Sequence, residues 1–308
     1  MAAHVDPAFA TPGAGDYEDF FEDATRLDAA IAAAGLENVW LHRRGEAKNL
    51  ATGEVKKPGA GWQPWGVQSS NSLNMAVITP GFHPLQVELD VDRYPHWNVF
   101  QQNAGRRLHL AGVGLEGAGF EMVDAIRDLV ADGGKIVVKT VQSKKGIWFN
   151  EISGPDDAQR FVDDAIMDIA FHMLGAPRAF LVQQHVTMEY EYRLFVVDGQ
   201  VVTGAGAIEE HTPIDATCRP FNNAVRKNRA LHSPIEDRPD IVDELVYFGQ
   251  HIADEIKAGP GVNLTRYVLD VAIGENGPLI VEFNSMLNSG LYASDPTAVA
   301  RKVNSLRS

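Results

Sequence analysis

From residue 135 onward the chain reads largely as strands joined by tight turns, and the last pair constrains the fold most. Residues Tyr267–Ile273 are rich in β-branched side chains, Glu275-Asn276-Gly277-Pro278 supplies turn chemistry, and Leu279–Phe283 resumes the apolar run. Asp270 lies inside the first strand, while Glu282 and Asn284 end the second. A period of two puts Glu282 and Asn284 on one face, and a tight hairpin can bring Asp270 opposite them. An acid in a strand ordinarily sits on a solvated face. Glu282 instead interrupts an apolar run, LIVEF, that reads as buried on both sides, and a buried carboxylate must be paired or bound to metal. Two carboxylates and an amide form an all-oxygen ligand set suited to magnesium shared with substrate phosphates.

The rest of the chain supplies the frame. A helix is expected over about 17–34, then a short strand at Val39–Leu41, and a long loop or lid over 44–72 holding Trp62 and Trp65. Strands are expected at Met75–Thr79 and Leu85–Val91, whereas 92–114 shows no decisive pattern. A helix over about 115–131 leads to the strand Lys135–Val141, a basic turn over 142–146 and a partner strand at Ile147–Phe149. A helix over 156–174 follows, then strands at Ala179–Val186, Tyr192–Val197 and Gln200–Gly206, the last two joined by Asp198-Gly199. Residues 207–236 read as loop, 240–257 as a long helix and 296–306 as a closing helix. Hairpins outnumber βαβ units, so the expected class is α+β with antiparallel sheets. Neither G-x-G-x-x-G nor G-x-x-x-x-G-K-[ST] occurs, which removes two familiar nucleotide-binding folds.

Composition excludes several function classes. A chain of 308 residues can form two or three lobes. Its net charge of −14 argues against non-specific nucleic-acid or anionic-membrane binding, but leaves room for a nucleotide met locally by a few cations. The single cysteine, Cys218, cannot build an internal disulfide framework and suits a reducing compartment. The acidic N-terminus lacks the apolar core of a signal peptide, and no run approaches the ~18 apolar residues of a membrane span. A soluble, cytoplasmic protein is expected.

The D-(x)11-E-x-N pattern of Asp270, Glu282 and Asn284, followed by a Ser/Asn/Gly-rich loop, resembles the metal-binding signature of the ATP-grasp superfamily. The resemblance runs over about 135–306, and Gly290–Asp295 is most similar to a phage- and actinobacteria-associated clade named for an arginine-to-lysine replacement. It implies two α+β subdomains clasping ATP behind an N-terminal lobe. The corresponding division is a tail over 1–16, a pre-ATP-grasp or substrate lobe over 17–115, a first subdomain over 116–186 and a second over 187–308. By the same resemblance Lys139, interrupting the apolar strand IVVKTV, is the strand lysine that meets nucleotide phosphates. Lys144 and Lys145 lie in the phosphate-covering turn, which is shorter and poorer in glycine than in many members. Gln183, Gln184, His185 and Val186 form the adenine hinge, with Gln184 flanking the adenine amino group, Val186 offering its N–H and His185 only main chain. Glu191, or Glu189, takes the ribose hydroxyls, and Arg193 faces substrate or phosphate. Arg226 and Lys227 sit where a cation meets transferred phosphate, with Arg229 beside them. Asn288, with Ser289 and Gly290, occupies the loop that approaches the acyl phosphate. Arg266 is a weaker candidate, and Arg93, Arg106 or Arg107 is left to stand for the second nucleotide-binding lysine of the family.

The resemblance implies an ATP- and magnesium-dependent ligase, with manganese able to replace magnesium, that joins a carboxylate to an amine through an acyl phosphate. Its substrates would be small molecules or peptides. A phosphotransferase on the same fold would leave phosphate on its product, and a catalytically silent nucleotide-binding protein would release none. The sequence leaves the substrates and the oligomeric state open.

Overall fold

A computed structural model describes residues 2–5, 38–41, 47–49, 55–56, 97–112, 120–130, 134–140, 147–172, 180–208, 220–259, 266–284 and 292–305. The helix expected over 17–34, the tryptophan-bearing segment 57–72, the strands expected over 75–91, and Lys144, Lys145, Cys218 and Asn288 lie outside them. Chain contacts define two compact units: Glu88–Thr187, and Met188–Ser308 together with Met1–Val87.

The unit Glu88–Thr187 is built on a mixed five-stranded sheet. Its strands are β5 (Leu108–Gly112), β6 (Phe120–Glu121), β7 (Gly134–Thr140), β8 (Ile147–Ile152) and β9 (Phe180–Gln184), in the order β6-β5-β9-β7-β8. Only β5 and β6 pair in parallel. Helix α1 (Trp97–Asn103) precedes β5, α2 (Met122–Leu129) follows β6, and α3 (Pro155–His172) follows β8. Met122, Ala125, Ile126 and Leu129 repeat at the spacing of one helical face and are buried with Ile136, Val138 and Val182 of the sheet. The alternation of β7 therefore places Val137 and Lys139 on its opposite face.

Three expectations change here. The helix expected from residue 115 begins at Met122, after the two-residue strand β6; Gly117 and Gly119 each cost about 1 kcal/mol relative to alanine inside a helix. The undecided stretch 92–114 contains α1 and β5. Because β5 pairs with β9 through Leu108–Ala111, this strand belongs to the five-stranded sheet and not to an N-terminal lobe reaching residue 115.

The second unit holds a four-stranded antiparallel sheet of β10 (Glu189–Val197), β11 (Gln200–Gly206), β14 (Arg266–Gly274) and β15 (Gly277–Asn284), ordered β11-β10-β14-β15. The positive φ of Asp198 and Gly199 closes the β10–β11 hairpin in the mirror-image turn that matches strand twist. The β14–β15 turn is tighter than expected: Gly274 pairs with Gly277, so Pro278 already lies in the strand opposite Ile273. Segment 207–236, expected to be loop, contains a two-stranded ribbon of β12 (Ala224–Arg226) and β13 (Ile235–Asp237). These strands are three residues each, too short for a period-two signal. Helix α4 (Pro239–Ala258) begins with proline where its missing N–H is harmless. It packs Gly249 against Leu194 and Leu269 on one face of the sheet. Helix α5 (Pro296–Ser305) closes the described chain. A further sheet orders β1 (Ala2–Val5), β2 (Asn38–Leu41), β3 (Ala47–Asn49) and β4 (Val55–Lys56) in sequence. No helix among the described residues is long and apolar enough to cross a membrane.

Candidate active site

Strand register builds the site across three neighbouring strands. Arg193 on β10 pairs with Asp270 on β14, and Asp270 pairs with Glu282 on β15. One row of the sheet thus carries a cation and two acids, on the face opposite Leu194, Leu269 and α4. A register shift between Asp270 and Val271 marks a bulge at the charged row, where bulges re-aim side chains. Asp270 and Arg193 are buried, with side chains 1% and 6% exposed. Arg193 donates from Nε to Asp270 Oδ1 and from Nη2 to Oδ2, both at 2.8 Å. Asn284 Nδ2 donates to Asp270 Oδ2 at 2.9 Å and to Glu282 Oε1 at 3.0 Å.

Burial works against the Arg193 charge, but the field and hydrogen bonds of Asp270 more than offset it, so its pKa rises above the ordinary arginine range. The Tyr292 ring covers the guanidinium, its centroid 4.8 Å from Cζ. Glu191 lies on the same face of β10, two residues before Arg193. Burial raises its pKa first and the charge of Asp270 adds to this, while Arg229 opposes them. Arg229 Nη1 donates to Glu191 Oε1 at 3.2 Å. Lys227 Nζ lies 3.5 Å from Glu189 Oε1, and Arg226 Nη1 lies 3.2 Å from His232 Nδ1. The ribbon β12–β13 therefore delivers Lys227 and Arg229 to the acids that open β10.

The candidates in the other unit group separately. Lys139 pairs with Leu181 and Val137 with Gln183, so Lys139 and Gln183 share the sheet face away from α2. Gln183 is buried, its Oε1 accepting from Arg106 Nε at 3.0 Å. Gln184 Oε1 accepts from the Arg107 N–H at 3.2 Å, and its Nε2 donates to the Leu129 carbonyl at 3.0 Å. The His185 N–H donates to the Lys135 carbonyl at 2.9 Å. Val186 follows the end of β9 and is half-buried.

The profile of the ATP-grasp domain, family 3 of the clade named for an arginine-to-lysine replacement, matches residues 119–303. This chain belongs to that family. Solved structures agree on the fold of this ATP-grasp chain. The RimK domain protein ATP-grasp from Sphaerobacter thermophilus is similar at TM-score 0.51 and 15% identity, with 99% of each chain covered. D-cycloserine synthetase DcsG is similar at 0.53 and 15%, covering 98% of this chain and 99% of its own. D-alanine–D-alanine ligase from Bacillus anthracis, complexed with ATP, is similar at 0.52 and 8%, covering 99% and 96%. No curated protein matches the sequence. The expected α+β ATP-grasp fold, and the clade, are thereby established.

The donor set of this ATP-grasp chain fits a hard divalent cation. Two carboxylates lie side by side, and the Asn284 NH2 sits between them, at the place where positive charge is wanted. Turned about its Cβ–Cγ axis, the same amide offers an oxygen in place of its nitrogen. Among the described residues no cluster of three or more His, Cys, Asp and Glu side chains has metal-holding geometry, so a site here rests on Asp270, Glu282 and the Asn284 amide. Two expected roles change. Arg193, expected to face substrate or phosphate, directs two donors at Asp270 and is buried there. Gln184, expected beside adenine, commits both ends of its amide to the main chain of Arg107 and Leu129. The sequence shows Tyr292 only as part of a loop motif, and Arg229 only as one of a charge cluster. A period-two count from Arg193 back to Glu191 is the signal that joins Arg229 to the site.

Proposed function

We propose that this protein is an ATP- and magnesium-dependent carboxylate–amine ligase that forms an amide bond with release of ADP and phosphate. The observation that carries the reading is the Arg193–Asp270–Glu282 row with Asn284 bridging its acids, set in an ATP-grasp fold. Asp270, Glu282 and Asn284 would hold magnesium, or manganese in its place, and the ion would neutralise charge on the β- and γ-phosphates. Lys139, with Lys144 and Lys145, meets the phosphates; the main chain at His185 and Val186, beside Gln183, receives adenine. Glu191 or Glu189 takes the ribose. Arg226, Lys227 and Asn288 serve the transferred phosphoryl group, and Arg193 acts through Asp270.

In the first step a substrate carboxylate oxygen forms a bond to the γ-phosphorus while the bond to the β–γ bridging oxygen breaks, giving an acyl phosphate and ADP. An amine then bonds to the acyl carbon, phosphate leaves, and the nitrogen loses a proton. Positioning and charge neutralisation supply the catalysis, so no protein nucleophile is required. The stretch ahead of residue 97, shortened from the expected 115 because β5 belongs to the five-stranded sheet, selects a small-molecule or peptide substrate. A cytoplasmic location, where ATP and magnesium are at hand, goes with this reading.

Isothermal titration of ATP and ADP, with and without magnesium, tests it. Micromolar, magnesium-dependent binding that Glu282→Gln weakens is expected, followed by phosphate release on screening carboxylate–amine pairs. Absence of nucleotide binding under every metal condition would overturn the reading, and a phosphorylated product without phosphate release would replace it by phosphotransfer.

A further inference from the structure

We propose that Tyr292 is a positioning residue of the metal site: its ring clamps the Arg193 guanidinium, and Arg193 thereby fixes both oxygens of Asp270. This rests on the metal reading of Asp270, Glu282 and Asn284 given above. An arginine that grips a carboxylate by two parallel hydrogen bonds sets its direction as well as its charge. That grip holds only while the guanidinium plane stays in register with the carboxylate. Asp270 fixes the edge of the plane, through Nε and Nη2 at 2.8 Å. The Tyr292 ring, 4.8 Å from Cζ, restrains its face. A neutral π-face suits a cation there without competing for Asp270.

The ring is itself held from behind. The Asp295 N–H donates to Thr203 Oγ1 of β11 at 2.8 Å, and Asp295 Oδ1 accepts from the Ala298 N–H at 3.3 Å at the start of α5. Ala293 and Ser294 between them are buried. Tyr292 has φ +46°, a left-handed conformation that costs an L-residue on the order of 1 kcal/mol and persists where the surroundings over-determine it. The chain therefore runs from β11 through the pinned Asp295 to a tyrosine set on the arginine that holds Asp270. Arg193, buried between ring and carboxylate, orients the ligand and does not follow a phosphate.

The test is manganese binding by the full-length protein in the presence of ATP, read by electron paramagnetic resonance, alongside ATP binding in EDTA. Tyr292→Leu is expected to weaken manganese about tenfold, the lower end of losses seen when partners behind a metal ligand are removed, while ATP binding in EDTA stays within about twofold. Tyr292→Phe keeps the ring and should restore manganese affinity. Unchanged manganese affinity in Tyr292→Leu overturns the inference. So does an equal loss of ATP binding in EDTA, which marks general damage, or a Tyr292→Phe variant as weak as Tyr292→Leu, which assigns the effect to the hydroxyl. Should Tyr292→Leu fail to fold, Arg193→Lys carries the test: it keeps the charge but loses the fork, and wild-type manganese affinity there overturns the clamp. A wild-type protein that binds ATP but not manganese refutes the metal reading itself and is distinguishable from every variant result.

Discussion

Asp270→Asn, measured without metal or nucleotide, isolates the buried ion pair at the centre of the sheet. The exchange keeps shape and removes one charge, leaving Arg193 6% exposed and without its bidentate partner. At an effective dielectric near 20, unit charges 4 Å apart attract by about 4 kcal/mol, and breaking a buried pair from one side costs about 3–5 kcal/mol. Two features pull the result to the lower end. Glu282 still supports the Arg193 charge, and removing Asp270 relieves the repulsion it exerts on Glu191. The expected loss is therefore about 3 kcal/mol, read as a lower urea midpoint at unchanged slope in circular dichroism. Arg193→Met should lose a similar amount, and the double variant should lose about 2 kcal/mol less than the sum, because neither charge is then stranded. A loss below about 1 kcal/mol in Asp270→Asn, within the range of exposed pairs, would refute the argument that burial makes this pair structural.

Gly249→Ala should destabilise the protein in urea although alanine is the better helix former. The added methyl would overlap Leu194 Cδ1, and overpacking of about 2 kcal/mol outweighs a propensity gain of about 1 kcal/mol. Glu191, whose folded-state pKa is raised by burial and then by Asp270 from its ordinary 4.5, binds its proton more tightly folded than unfolded. Stability is thus lost as pH rises from about 4.5 through the raised value, and Glu191→Gln should melt progressively higher than wild type from pH 4 to pH 7; a constant difference would refute this. Manganese should bind at least about tenfold more tightly with ATP than without it, by the same resonance measurement.

The site is legible in the sequence where chemistry and period coincide. Asp270, Glu282 and Asn284 stand out because acids interrupt an apolar run, and a two-residue loop leaves little freedom in how they face each other. Lys139 is legible for the same reason in IVVKTV. What escapes depends on pairing between strands distant in sequence. Arg193 meets Asp270 across 77 positions, and no local pattern records that its donors turn along the sheet instead of outward to a ligand. Gln184 escapes alike: its amide is claimed by Arg107 and Leu129, 77 and 55 positions away. Tyr292 reaches Arg193 by a left-handed backbone turn that a tyrosine does not advertise.

The charges of the row explain why metal and nucleotide should depend on each other. Asp270, Glu282 and Glu191 contribute three negative charges, and Arg193 and Arg229 return two positive ones. Lys227 and Glu189 cancel beside them. A lone dication entering a site of formal charge −1 gains one unit of attraction, must displace the Asn284 amide from between the carboxylates, and leaves a buried excess of +1. That excess is unfavourable alone and favourable opposite a polyphosphate, since charges in a half-buried site are screened little by salt. Arg193 is what sets this balance. Placed beneath Tyr292 and locked to Asp270, it lowers the attraction of the site for bare cations while keeping Asp270 aimed, so that the dication is held best when a nucleotide arrives with it.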